Sequence, residues 1–219
     1  MPEVVIMKEI KGRNEEYARQ NRDMYAKDHV LAVNVMGAPG AGKTSFLMAL
    51  CTELKERGIE SAVIEGDLYS TIDTEEFARA GFAALQINTE GECHIDANVV
   101  RQGYDRLGFK NGVVFIENVG NLICPAEFDL GEGLRIITAS VPEGDDKPYK
   151  YVPMYSYVDA VVLTKCDLIE AVGFDTEYFI KGLRALNDAP VLKTSAKDVA
   201  GAEGIEEVAE LIEGRYRSI

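Results

Sequence analysis

Gly37-Ala38-Pro39-Gly40-Ala41-Gly42-Lys43-Thr44 sits between an apolar, β-rich run (Val30 to Met36) and a stretch of helical periodicity (Thr44 to Arg57). No other feature constrains the fold as strongly. A buried strand must run into a glycine-rich turn and then a helix, and the octapeptide matches G-x-x-x-x-G-K-S/T in the context that pattern requires. Glycines let successive backbone N–H groups turn inward around phosphate oxygens, and the helix N-terminus adds its dipole. Lys43 supplies a point charge to the β- and γ-phosphates, and the Thr44 hydroxyl is a Mg²⁺ ligand. The nucleotide-contacting run is therefore Gly37 to Thr44 with Ser45, and Lys43 and Thr44 are its catalytic members.

The rest of the chain repeats the alternation. Ser61 to Ile64, Ala84 to Ile87, Val113 to Ile116, Leu134 to Ala139, Ala160 to Leu163 and Pro190 to Leu192 read as strands. Ile95 to Leu107, Phe174 to Leu186 and Ile205 to Ile219 read as helices. Strands interleaved with helices predict an α/β fold, a mostly parallel sheet with helices on both faces, over residues 30–219. Lys8 to His29 also reads as a helix. Its apolar positions Tyr17, Met24 and Tyr25 are sparse, so residues 1–29 are expected to lie on the domain as a helical segment. Pro142 to Pro153 reads as a surface loop.

Charge excludes several partners. Asp plus Glu number 37 against 23 Lys plus Arg, a formal net charge of -14. Such a field repels phosphate backbones and anionic lipid, which argues against nucleic-acid and membrane-surface binding. No apolar run approaches the ~18 residues of a membrane span, and no signal-peptide pattern opens the chain. Four irregularly spaced cysteines do not form a disulfide scaffold. A cytoplasmic protein with reduced thiols is expected.

Thr164-Lys165-Cys166-Asp167 follows a strand and resembles the N-K-x-D guanine motif of GTPases, with Thr in place of Asn. The Asp167 carboxylate can accept from guanine N1–H and the 2-amino group together, whereas adenine would oppose it with an acceptor. Leaving such a pair unmade costs on the order of a few kcal/mol. Lys165 would lie along the base through its aliphatic stem. Thr164 removes the amide that usually steadies this loop. Ser195-Ala196-Lys197 resembles the S-A-K segment whose backbone N–H contacts guanine O6. The plainer alternative for Asp167 is a helix N-cap.

Asp67 ends the second strand, and Asp73 is placed in the loop after it. Glu117-Asn118-Val119-Gly120 resembles the D-x-x-G segment of GTPases with Glu in the acidic position. Gly120 would bring a backbone N–H to the γ-phosphate, and Thr44, Asp67, Asp73 and Glu117 would hold Mg²⁺ directly or through water. Asp67 and Asp73 taken singly also suit loop caps. With no Gln to orient water, hydrolysis of GTP is expected to be slow.

Cys93 and His94 adjoin at a helix start, and Cys124-Pro125 lies in the segment after Glu117. Thiol and imidazole suit a borderline or soft ion. Three ligands leave a tetrahedral ion one short, so a twofold axis joining two copies would complete the site. Cys51 and Cys166 read as packed, inert thiols. Gly91 to Ala97, Glu117 to Pro125 and Phe128-Asp129-Leu130-Gly131 together resemble the HypB family of hydrogenase maturation GTPases, and the resemblance runs from about Val30 to the C-terminus. It implies a dimeric metallo-GTPase. It also implies Ni²⁺ or Zn²⁺ on Cys93, His94 and Cys124 at the subunit interface, a HypA-like zinc protein as partner, and nickel insertion into the large subunit of nickel–iron hydrogenase. The family's N-terminal C-x-x-C-G-C segment and His-rich stretch are not present in this sequence, so nickel storage is not carried over.

Three alternatives compete. The urease-maturation GTPase UreG shares the fold but is expected to carry Cys-Pro-His contiguously. A small-molecule kinase would leave Thr164 to Asp167 unexplained. A nucleotide-gated interaction module would use turnover only to reset itself.

Overall fold

The computed structural model describes residues 7–67, 71–196 and 202–219. Seven strands form one sheet in the order β3-β2-β4-β1-β5-β6-β7. They are β1 (Val30–Gly37), β2 (Ser61–Asp67), β3 (Ala83–Asn88), β4 (Gly112–Glu117), β5 (Leu134–Ser140), β6 (Ala160–Thr164) and β7 (Val191–Lys193). Every pairing is parallel. The central strands read as unbroken apolar runs because helices cover both faces.

Side-chain alternation in β1 shows how the faces divide. Leu31, Val33 and Val35 pack with Phe46, Leu50 and Leu54 of α2 (Lys43–Glu56) and with Val208 and Ile212 of α9 (Ile205–Tyr216). Val30 and Ala32 point the other way, into a cluster with Tyr25 of α1 (Met7–Asp28) and Val100 and Tyr104 of α4 (Ala97–Leu107). Beyond β5, a third cluster seats Met154 and Tyr155 of α6 (Val152–Ser156) against Phe179 and Leu183 of α8 (Thr176–Arg184).

The chain runs from β1 outward to β2 and β3, inserts β4 between β2 and β1, and then crosses to β5. That reversal places the loops after β1, β2, β3 and β4 along one carboxyl edge, where ligands bind in open α/β sheets.

Three readings change. Pro142 to Pro153 is a chain of short turns and helices, with α5 at Lys147–Lys150 followed by α6, and it carries the buried Pro148, Met154 and Tyr155. Prolines at first-turn positions start these helices rather than break them. Asp73 lies in the first turn of α3 (Ile72–Arg79), not in a loop. Phe77 is that helix's one buried anchor, too little for a periodic pattern. The buried stripe of α1 is Asn14, Ala18, Asn21 and Tyr25, with Tyr17 and Met24 only half-buried beside it. A short helix, α7 (Ile169–Val172), precedes α8.

Candidate functional site

A cleft of about 590 Å³ opens over the glycine-rich turn, lined by Lys43, Thr44, Glu65, Asp67, Asp73, Glu117, Gly120 and Lys165 among others. Parallel register builds its floor: Glu117 pairs with Val35 on one side and with Glu65 on the other. The loop after β4 docks on the turn, with Asn121 N donating to Gly37 O at 3.0 Å.

Thr44 Oγ1 lies 3.0 Å from Glu117 Oε1 and 3.3 Å from Asp73 Oδ2. Its single proton can serve one carboxylate at a time. Burial pushes the Glu117 carboxyl up to about 7, against the pull of the nearby Lys43 ammonium. Burial pushes Glu65 up to about 6, although Thr74 Oγ1 donates to it. The Lys43 ammonium is drawn below its ordinary value by burial, with Glu117 opposing that shift, and it donates to Ala38 O at 3.4 Å. Glu117 Oε2 is buried without a hydrogen-bond partner among the described residues. A hydroxyl amid carboxylates, one oxygen unpaired, is a hard-oxygen set that suits Mg²⁺.

At the other end of the cleft Thr164 behaves differently from expectation. Its buried hydroxyl donates to Ala41 O at 2.6 Å, tying the base loop to the phosphate loop. The threonine therefore replaces the lost amide's tether instead of leaving a gap. Lys165 adopts a left-handed conformation (φ 58°) and reaches back to Gly40 O at 2.8 Å. Ser195 Oγ donates to Asp167 Oδ1 at 2.9 Å, while the Ser195 N–H bonds to Glu203 O at 3.1 Å. Ala196 follows directly, and Lys197 lies outside the described residues.

The loops after β3 and β4 meet across the end of β2. Cys93 Sγ and Cys124 Sγ are 2.8 Å apart, and His94 Nδ1 is 3.8 Å from Cys93 Sγ. The contact with Cys124 raises the Cys93 thiol above its ordinary value, so a thiophilic ion would have to displace protons here. The imidazole stacks on Phe128 with ring centroids 3.8 Å apart, and burial lowers its basicity. Among the described residues no group of three or more potential ligands converges. One protomer thus presents a thiol pair with an imidazole beside it.

The profile of the CobW/HypB/UreG nucleotide-binding domain matches residues 31–193. A hydrogenase maturation factor HypB from Rhizobium leguminosarum is 39% identical over 204 residues, 93% of this chain and 67% of that protein. A probable hydrogenase maturation factor HypB from Methanocaldococcus jannaschii is 38% identical over 98% of this chain and 96% of its own length. The chain belongs to the HypB family. The crystal structure of HypB from Helicobacter pylori in complex with nickel superposes with a TM-score of 0.88 at 32% identity, covering 94% of this chain and 96% of that one. The chain spans about two thirds of the Rhizobium relative's length.

Several residues of this HypB-family site escaped sequence reasoning. Glu65 interrupts an otherwise apolar buried strand, and that charge was a legible signal. Asn118 Oδ1 accepts from Ile95 N at 3.3 Å, and Asn121 Nδ2 donates to Cys93 O at 3.1 Å. Both asparagines join the Glu117 loop to the Cys93 loop, and neither leaves a sequence pattern. The crossing is close: a Cβ on Gly66 would lie 2.2 Å from Ile95 Cδ1, so only glycine lets the loop pass over β2. No helix among the described residues is long and apolar enough to cross a membrane.

Proposed function

We propose that the protein is a Mg²⁺-dependent GTPase that carries nickel toward the large subunit of a nickel–iron hydrogenase, as a homodimer closed by GTP and by metal. One observation carries this reading: the two thiols sit on loops that are hydrogen-bonded to the segment beginning at Glu117, the residue that meets Thr44 in the phosphate cleft. The family membership and the nickel complex of the Helicobacter pylori relative support the same cargo.

In this reading the N–H groups of the Gly37 to Ser45 run wrap the phosphates and Lys43 neutralises the β,γ charge. Thr44 and Glu117, with Asp73 and Asp67, hold Mg²⁺, which supplies further charge neutralisation on the leaving phosphate. The Gly120 N–H orders its loop on the γ-phosphate. Asp167, held by Ser195, accepts from the guanine edge, with Lys165 along the base and the Ala196–Lys197 backbone near O6. GTP is hydrolysed to GDP and phosphate. Cys93, His94 and Cys124 from two copies ligate Ni²⁺, or Zn²⁺ in its place, and a HypA-like zinc protein is the exchange partner. The acidic charge favours a cytoplasmic setting without nucleic acid or lipid.

Sedimentation of the protein with GDP or a non-hydrolysable GTP analogue, with and without Ni²⁺, tests the reading. Dimer is expected with the analogue, and more of it with Ni²⁺. A mass that ignores both nucleotide and metal, or ATP bound as tightly as GTP, overturns it.

A further inference from the structure

Helix α1 reaches both segments that carry the thiols. Asn14 Nδ2 donates to Asp129 O at 2.8 Å, and Asn14 Oδ1 accepts from Ala97 N at 2.9 Å. One turn pair further on, Asn21 Nδ2 donates to Ala97 O at 2.8 Å and to Leu130 O at 2.9 Å. Ala97 opens α4 just after Cys93-His94, and Asp129-Leu130 follows Cys124-Pro125 and Phe128. Two side chains of one helix thus bridge two backbone segments that make no sheet pairing with each other. Arg22 adds a bidentate pair to Asp129, at 2.9 and 3.0 Å. The helix lies so close that a Cβ on Gly131 (φ 83°) would fall 2.4 Å from Ala18 O.

We infer that α1 is a positioning element for the thiol pair, with Asn14 and Asn21 as its positioning residues: they hold the Cys93 and Cys124 loops in register so that two sulfurs face one ion. The inference deepens the proposed metal site and rests on that reading for the ion. The pairing of the thiols rests on geometry alone. A side-chain amide suits this task because it donates and accepts at once and can satisfy two strandless segments in a buried place. A helix turn spaces Asn14 and Asn21 on one face, so both amides meet the same seam. Partners that orient ligands from outside the coordination sphere commonly carry about tenfold or more of metal affinity.

The test compares the wild type with Asn14→Ala, Asn21→Ala and Arg22→Ala. Asn187→Ala serves as a control, because Asn187 also bridges backbone, to Tyr155 O, Val158 O and Ala189 N, but far from the thiols. Two readouts apply: Cd²⁺ affinity by the sulfur-to-cadmium charge-transfer band, and the rate at which diamide oxidises Cys93 with Cys124 to a disulfide, two thiols yielding two protons and two electrons to the diazene. Asn14→Ala and Asn21→Ala should bind Cd²⁺ about tenfold more weakly. They should also pair their thiols more slowly, with GDP affinity unchanged and Asn187→Ala like wild type in both. Exposed Arg22→Ala should fold normally and show the same change in smaller measure, which keeps the test alive if a buried variant does not fold. Wild-type thiol pairing and Cd²⁺ affinity in the α1 variants, or an equal loss in Asn187→Ala, overturns the inference. A wild type that fails to bind Cd²⁺ while α1 variants still slow thiol pairing sinks the metal reading and leaves the positioning role standing.

Discussion

Asn118 Oδ1 accepts the N–H of Ile95 at 3.3 Å and that of its own neighbour Val119 at 3.0 Å, while Asn118 Nδ2 donates to Asn34 Oδ1 at 3.3 Å. One buried amide therefore connects the residue after Glu117 to the residue after His94. Movement of the Glu117–Gly120 segment on a γ-phosphate would be felt at the thiols through this bond.

Asn118→Ala should break that connection. In the wild type, a GTP analogue should change Ni²⁺ affinity by about tenfold relative to GDP, a coupling of ~1.4 kcal/mol. In the variant the two nucleotide states should bind Ni²⁺ alike, with guanine nucleotide affinity retained. Calorimetric titration of Ni²⁺ in both states reads the result, and an undiminished coupling would refute the route.

Thr164 and Asp167 should separate affinity from specificity. Thr164→Val keeps the shape but strips the buried bond to Ala41 O, at a cost of about 1–3 kcal/mol. GTP and xanthosine triphosphate should weaken together. Asp167→Asn should instead favour xanthosine triphosphate, whose 2-oxo group wants a donor. Competition against a fluorescent nucleotide distinguishes a uniform loss from a switch. A base switch in Thr164→Val would contradict this division.

Lys43→Ala should abolish measurable GTP hydrolysis, since no other cation among the residues lining the cleft floor lies where the β,γ charge develops. Phosphate release under single-turnover conditions is the measurement. A wild-type rate would mean that the chemistry lies elsewhere.

Glu117 gives the cleft a pH dependence. Its carboxyl rises from 4.5 to about 7 on folding, chiefly through burial. A carboxyl that holds its proton more tightly folded than unfolded contributes stability present below about pH 4.5 and lost as the pH climbs to about 7. Nucleotide-free protein should lose that share of its thermal stability across this window. Mg²⁺ requires the ionised form, so the Mg²⁺-dependent part of GDP binding should strengthen as the pH rises through about 7. Glu117→Gln should flatten the Mg²⁺ effect. Equal Mg²⁺ dependence at about pH 6 and about pH 8 in the wild type would rule this out.

Local pattern was enough for much of this protein. The turn from Gly37 to Thr44 declared its strand, its helix and its phosphate chemistry, because each property depends on neighbours along the chain. Unbroken apolar runs such as Val113 to Ile116 revealed strands buried on both faces for the same reason. Residues whose meaning lies across the fold stayed hidden. Thr164 looked like a lost tether until β6 was placed beside the phosphate loop, where its hydroxyl reaches Ala41. Asn14 and Asn21 masked the buried stripe of α1, since hydrophobic periodicity cannot register a buried amide whose partners lie 76 to 115 residues away. Cys93 and Cys124 could be suspected from the sequence. Only the order β3-β2-β4, with Gly66 leaving room for Ile95, decided that their loops meet: parallel strands deliver their following loops to one edge, and what adjoins there is set by the neighbour in the sheet, not in the chain.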